Sequence, residues 1–99
     1  MNEHIIHAGI DRIRIRARIT DTISGSAVDP SEVYFKVTNP AGTVKATQSY
    51  GGGTATKNAT GDYYSDFATT ASEYGWWTWE AWWTGTYVGG ERGTVYVHS

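Results

Sequence analysis

The stretch DRIRIRARIT, residues 11–20, alternates arginine with mostly apolar residues. Its four arginines take the even positions and are Arg12, Arg14, Arg16 and Arg18. Because successive side chains of a β-strand point to opposite faces, this pattern predicts a strand with one apolar face and one cationic face. A guanidinium group binds carboxylates and phosphates and stacks on aromatic rings. The cationic face is therefore a candidate binding surface.

A second stretch, GWWTWEAWWT at residues 75–84, holds all five tryptophans of the chain. Adjacent residues of a strand cannot face the same side, so each Trp-Trp pair places one indole ring outside the interior unless something covers it. The expected inward set is Trp77, Trp79, Ala81 and Trp83. Trp76 and Trp82 then face outward, and exposed aromatic rings are typical of binding surfaces.

The remaining polar residues form no recognisable catalytic or metal-binding pattern. His4 and His7 have a spacing that suits metal ligands on a helix, but in a strand they face opposite sides. Asp62 and Asp66 share a strand face, yet beside arginines they are expected to be ionised rather than tuned for proton transfer. The glycines at 51–53 lack the helical pattern that follows a phosphate-binding loop. We expect no enzyme activity, no metal and no cofactor.

Composition favours one small all-β domain. The 99 residues are rich in Trp, Tyr and β-branched types and include no leucine, so we interpret 1–99 as a single domain. The net charge is −2, which gives no overall case for nucleic acid. The chain has no cysteine, so neither disulfides nor thiolate metal sites are expected. Because small extracellular domains often contain disulfides, this absence favours an intracellular protein. No run approaches the roughly 20 apolar residues of a membrane span, and no secretion signal is recognised.

Turn residues recur about every ten positions, the spacing of a β-sandwich or barrel. The predicted strands are residues 11–20, 32–38, 43–49, 61–68, 76–84 and 94–99. Residues 84–93 are interpreted as a loop or hairpin end because they are rich in glycine. Residues 1–8 are either an N-terminal arm or a first strand, and no helix of normal length is predicted.

Six short motifs occur in an order that resembles the immunoglobulin-like domains of small virion proteins of tailed bacteriophages, and more loosely the bacterial Ig-like modules. They are Gly9 with the strand ending ITD (19–21), AVDPSEV (27–33), NPAG (39–42), GDY (61–63), GWWTWE (75–80) and TVYV (94–97). The resemblance implies an immunoglobulin-like Greek-key β-sandwich of about seven strands and a structural role in a virion. The doubled tryptophans depart from the pattern of that family.

The strand assignment that the resemblance implies pairs 11–20 with 62–68 in one sheet. The arginines then lie beside Asp62, Tyr64 and Asp66. Three interpretations stay open: a solvated face with partners in its own sheet, a patch that docks on an acidic surface such as a capsid shell, and a DNA contact. The solvated face is the preferred interpretation, and docking is the second because two acids cannot neutralise four arginines. The flat face and the net charge argue against DNA.

The other sheet joins 32–38, 75–84 and 92–98 in the same assignment. Trp76 and Trp82 then share an outer face with Tyr34 and Tyr96, and four large rings predict an aromatic patch. The patch is interpreted as a protein interface, as a sugar-stacking platform helped by Glu80, Thr78 and Lys36, or as a surface that loops or the N-terminal segment cover.

From the resemblance we expect a non-enzymatic attachment protein of a phage particle: a capsid decoration, accessory head or connector-associated protein. Its expected partners are capsid or connector subunits, or a second copy, with no nucleic acid and no membrane. The expected location is the virion, assembled in the cytoplasm of the bacterial host. The expected contact residues are Tyr34, Trp76, Trp82 and Tyr96, followed by Arg12, Arg14, Arg16 and Arg18. The alternative is an adhesion or carbohydrate-binding module that stacks the same rings on cell-surface glycans.

Overall fold

The structure is a computed structural model that describes residues 5–99, and its regular elements are all β-strands. Eight strands lie within this range: β1 (Ile6–His7), β2 (Arg12–Arg18), β3 (Glu32–Thr38), β4 (Val44–Ser49), β5 (Thr56–Ala59), β6 (Asp62–Ala68), β7 (Gly75–Thr84) and β8 (Gly89–His98). Residues 5–99 contain no helix that is long and apolar enough to cross a membrane.

The strands form two sheets. The larger sheet has the order β1-β8-β7-β3-β4, and the smaller has the order β2-β6-β5. β1 runs parallel to β8, whereas the other pairings are antiparallel. The predicted pairing of 11–20 with 62–68 is confirmed, and so is the grouping of 32–38, 75–84 and 92–98 in one sheet.

The expectation of about seven strands is corrected to eight, because β5 was not predicted. Its sequence TKNA is exposed at every position, so it lacks the alternation by which a half-buried strand is recognised. Strand β8 also begins at Gly89, five residues before its predicted start at 94. Of the N-terminal segment 1–8, residues 1–4 lie outside the described range, and Ile6–His7 pair with Val97–His98.

The inward side chains of both sheets form one core. The most deeply buried of them are Ile13, Ile15, Ala17, Val33, Phe35, Val37, Tyr63, Phe67, Trp77, Ala81 and Val97. Removing a large apolar side chain from water contributes about 1.5–3 kcal/mol, so this layer holds the two sheets together. Trp77 is fully buried, and its indole N–H donates a 2.8 Å hydrogen bond to the Glu73 carbonyl.

Two of the inward tryptophans lie against glycines of β8. Trp79 is paired with Gly93 and Trp83 with Gly89 across the β7–β8 ladder. A Cβ on Gly93 would come within 2.7 Å of the Trp79 ring, and one on Gly89 within 2.9 Å of the Trp83 ring. Each indole therefore occupies the space of the missing side chain. This packing explains why a glycine-rich segment continues as a strand instead of becoming a loop.

Two carboxylates tie the connecting loops to the sheets at opposite ends of β3. Asp29 accepts hydrogen bonds from Lys57 Nζ (2.7 Å), Gly61 N (2.9 Å) and the Tyr63 hydroxyl (2.9 Å). The contact with Lys57, followed by that with Gly61, lowers the pKa of Asp29. The buried Tyr63 ring is thereby anchored to the loop that enters β3.

Glu73, in the loop before β7, is the second of these carboxylates. It accepts hydrogen bonds from Asn39 Nδ2 (2.8 Å) and Thr70 Oγ1 (2.6 Å), and it pairs with Lys45 Nζ at 2.9 Å. These contacts, that with Asn39 first, lower the pKa of Glu73 to about 2. The backbone carbonyl of Glu73 also accepts the hydrogen bond from the Trp77 indole N–H, so Glu73 fixes the start of β7.

Candidate binding face

The outward side chains of β3, β7 and β8 form one side of the larger sheet, which we call the outer face. The structure places all four predicted aromatic residues on it: Tyr34, Trp76, Trp82 and Tyr96. Trp76 is 62% exposed and Tyr96 is 42% exposed, whereas Tyr34 and Trp82 are half-buried. The predicted inward set on β7 is confirmed by the burial of Trp77 and Ala81.

The four rings form two separate pairs rather than one continuous patch. Tyr34 lies opposite Trp82, and their rings stack with centroids 5.3 Å apart and planes 15° apart. Trp76 lies opposite Tyr96, and these rings meet edge to face with centroids 5.1 Å apart. Six positions of extended chain separate Trp76 from Trp82, which is about 20 Å. The prediction that all four rings meet in one patch is therefore wrong.

Trp76 and Tyr96 belong to a longer run of rings at one end of the outer face. His98 meets the Tyr96 ring edge to face at 4.7 Å, and His7 lies 6.1 Å from His98. We call His7, Trp76, Tyr96 and His98 the end cluster. It is an exposed surface of aromatic rings built on paired strands.

The end cluster brings two imidazole rings together. His7 and His98 face each other, but residues 5–99 contain no group of three or more His, Cys, Asp or Glu side chains placed to hold a metal ion. His4, which the sequence pairs with His7, lies outside the described residues.

Polar residues fill the space between the two aromatic pairs in two rows. One row is Lys36, Glu80 and Arg92, and the other is Thr38, Thr78 and Thr94, each in register across β3, β7 and β8. Lys36 Nζ lies 3.2 Å from Glu80 Oε1, and both side chains are about one-third exposed. Lys36, Thr78 and Glu80 were predicted to lie beside the aromatic rings. Arg92 and the other two threonines were not, because their place in these rows depends on the register between strands.

Two shallow depressions open on this polar band. One, of about 340 Å³, is lined by both polar rows and by Trp79 and Gly93. The other, of about 370 Å³, lies against Trp82 and Gly90. Both include Glu80 and Arg92 in their lining, so they adjoin and form what we call the central groove.

The outward side of the smaller sheet is the arginine face, formed by Arg12, Arg14, Arg16 and Arg18 with Asp62, Tyr64 and Asp66. Arg14 binds Asp66 through two hydrogen bonds of 2.8 and 2.9 Å and lies 4.1 Å above the Tyr64 ring. Arg16 Nε lies 3.3 Å from Asp62 Oδ1. The hydrogen bonds from Arg14 lower the pKa of Asp66.

Within the described part of the chain, Arg12 and Arg18 form no ion pair. The expectation of cross-strand partners for the arginines is thus confirmed for Arg14 and Arg16. Strand β2 is also the last strand on its side of the smaller sheet. Charged side chains on such an edge oppose pairing with a strand of another molecule, which gives the row a structural purpose.

Comparisons with protein-family models, with curated proteins and with solved structures find no match to this chain.

Proposed function

We propose that the protein is a non-enzymatic attachment domain that docks on a neighbouring protein subunit through the end cluster. The observation that carries the proposal is the exposure of Trp76, at 62%, on a strand whose next residue, Trp77, is fully buried. Tryptophan and tyrosine are the side chains most enriched at the energetic centres of protein interfaces. Trp76 and Tyr96 supply both, side by side, with histidines at the margin.

The setting of Trp76 favours tight docking. β7 is hydrogen-bonded on both sides, to β3 and to β8, so the backbone beneath the ring is already ordered. Its ring is also in contact with Tyr96 before any partner arrives. Binding to such a preordered surface loses less conformational entropy than binding through a loop does.

We further propose that the fold is an immunoglobulin-like Greek-key sandwich and that the neighbouring subunit belongs to a phage particle. The partition of the strands supports the first part, since β2, β6 and β5 lie in one sheet and β3, β7 and β8 in the other. The order of the six short motifs supports the second part. The partner is then a capsid or connector subunit, and the protein is a component of the virion assembled in the host cytoplasm.

The test uses particles purified from the source of the chain. Mass spectrometry identifies the protein in the particles, and stripped particles are then re-bound with purified protein. Replacing Trp76 with alanine weakens re-binding by about 30-fold, the scale of an interface hot spot. The matched control is Thr78→Ala, two residues along the same face, which leaves re-binding within about twofold. Absence of the protein from the particles, or equal re-binding by Trp76→Ala, contradicts the proposal.

A further inference from the structure

We propose that the central groove binds a neutral oligosaccharide, at a site separate from the end cluster. The proposal does not depend on attachment to a particle, because it concerns different residues of the outer face. It rests on three features of the groove: an aromatic ring face left open, a row of hydrogen-bonding side chains beside it, and a small net charge.

The open ring face belongs to Trp82. This indole stacks on Tyr34 at 5.3 Å, and Lys36 Nζ lies over it at 6.0 Å from the ring centroid. The residue paired with Trp82 on β8 is Gly90, which has no side chain and leaves the ring uncovered on that side. The depression of about 370 Å³ lies there. A Cβ on Gly90 would lie 3.3 Å from Trp82 Cβ and 3.0 Å from the Ala81 carbonyl oxygen. Any larger side chain at position 90 would therefore project into the space beside the ring.

The φ angle of Gly90 lies outside the left-handed region that favours glycine. Glycine at this position is explained by the close approach of the Ala81 carbonyl oxygen, and it leaves the space beside the Trp82 ring empty. The sugar ring of an oligosaccharide has an apolar face of C–H groups, and an indole face next to an empty, glycine-floored depression accommodates such a ring.

Hydrogen-bonding groups continue from Trp82 along the groove. Glu80 and Arg92 line both depressions, and the depression of about 340 Å³ adds Lys36 and the threonines of the polar rows. Carboxylate oxygens accept, guanidinium and ammonium groups donate, and a threonine hydroxyl does both. Sugar hydroxyls also donate and accept. The combination of an aromatic wall with a few polar groups is typical of small-molecule sites.

The charge around the groove is small. On the outer face Lys36 and Arg92 lie beside Glu80, and Lys36 pairs with Glu80 at 3.2 Å, so the lining offers little net attraction to an anion. The two depressions adjoin along the direction of β7, and both are shallow and open. An extended chain of sugar units fits this shape better than a single enclosed monosaccharide does.

The experiment is a binding screen with the full chain. The probes are neutral oligosaccharides of four glucose, mannose, galactose, xylose or N-acetylglucosamine units, with heparin as the anionic arm. We expect at least one neutral probe to bind with a dissociation constant between about 10 μM and 1 mM and to change the tryptophan fluorescence. Trp82→Ala and Gly90→Val should each weaken this binding at least about tenfold.

The matched control is Trp76→Ala, which removes the same side chain from the end cluster and should leave sugar binding within about twofold. Thermal melting shows whether each variant is folded. Should Trp82→Ala not fold, Gly90→Val and Glu80→Gln carry the test, since both should weaken binding. The proposal is overturned if no neutral probe binds, if only heparin binds, or if the groove variants bind the sugar as well as the unmodified chain. Because Trp76→Ala tests attachment and Trp82→Ala tests sugar binding, the two proposals fail separately.

Discussion

On the smaller sheet, arginine side chains pair with acidic residues of the same sheet. On the larger sheet, a tryptophan ring and a groove are exposed to solvent. Arg14 binds Asp66 and stacks over Tyr64, so much of the cationic row is satisfied within the domain. The Trp76 and Tyr96 rings meet edge to face, and Trp76 stays 62% exposed. The difference teaches that outward side chains paired with opposite charges of their own sheet are weaker evidence for a binding site than a large apolar ring that stays exposed to water.

The largest expected effect compares two neighbouring tryptophans of β7. Trp77→Ala should lower the free energy of unfolding by about 3–5 kcal/mol, because it opens a cavity in the core and removes the hydrogen bond to Glu73. Trp76→Ala should lower it by less than about 1 kcal/mol, because most of its ring is in water. Urea denaturation of the two variants checks this. Equal losses would contradict the exposure of Trp76 and would mean that its ring is buried within the domain.

A smaller loss of stability is expected on changing a carboxylate that accepts several hydrogen bonds, and a still smaller one on changing a carboxylate in a surface ion pair. Glu73→Gln should cost about 1–2 kcal/mol, because Asn39, Thr70 and Lys45 lose a charged acceptor. The matched variant Asp66→Asn, on the arginine face, should cost less than about 1 kcal/mol. Denaturation at pH 7 measures both. A larger loss for Asp66→Asn would show that the arginine face contributes more to stability than the loop does.

The Glu73 carboxylate also makes the stability of the fold depend on pH, with a defined sign. The pKa of Glu73 is lowered from an ordinary value near 4.5 to about 2, so its contribution is fully present above pH 4.5 and is lost as the pH falls toward 2. The stability difference between the unmodified chain and Glu73→Gln should therefore shrink across this window. A difference that stays constant from pH 5 to about pH 2 would contradict the assigned contacts.

The smallest expected effect is on binding through the arginine face. Replacing Arg12 and Arg18 together with alanine should leave re-binding to particles within about twofold, because the proposed contact lies on the other sheet. Trp76→Ala, tested beside it, should weaken re-binding strongly. A large, salt-sensitive loss of re-binding in the arginine double variant would indicate that the docking site lies on the arginine face.

The strands with strict alternation could be predicted from sequence. In β2, β3 and β6 the buried residues recur at every second position, and β7 follows the same parity around Trp77. That parity was enough to place Trp76 and Trp82 on the outside. The polar strand β5 escaped prediction because none of its side chains is buried.

Features that depend on two strands at once could not be predicted. Glycine in a sequence indicates a loop, and only the pairing of Gly89 with Trp83 makes it part of a strand. The depression beside Trp82 likewise exists because Gly90 lies opposite it. Register across the ladder, which the pattern of one strand does not contain, therefore determined the details of the candidate site.

Hydroxyl-radical footprinting of the protein, free and bound to particles, tests the proposed docking most directly. In the free protein Trp76 and Tyr96 should be oxidised readily, and Trp77 should not. On particles, oxidation of Trp76 and Tyr96 should fall strongly, while Tyr64 on the arginine face should be unchanged. Protection of Tyr64 with undiminished oxidation of Trp76 would contradict docking through the end cluster.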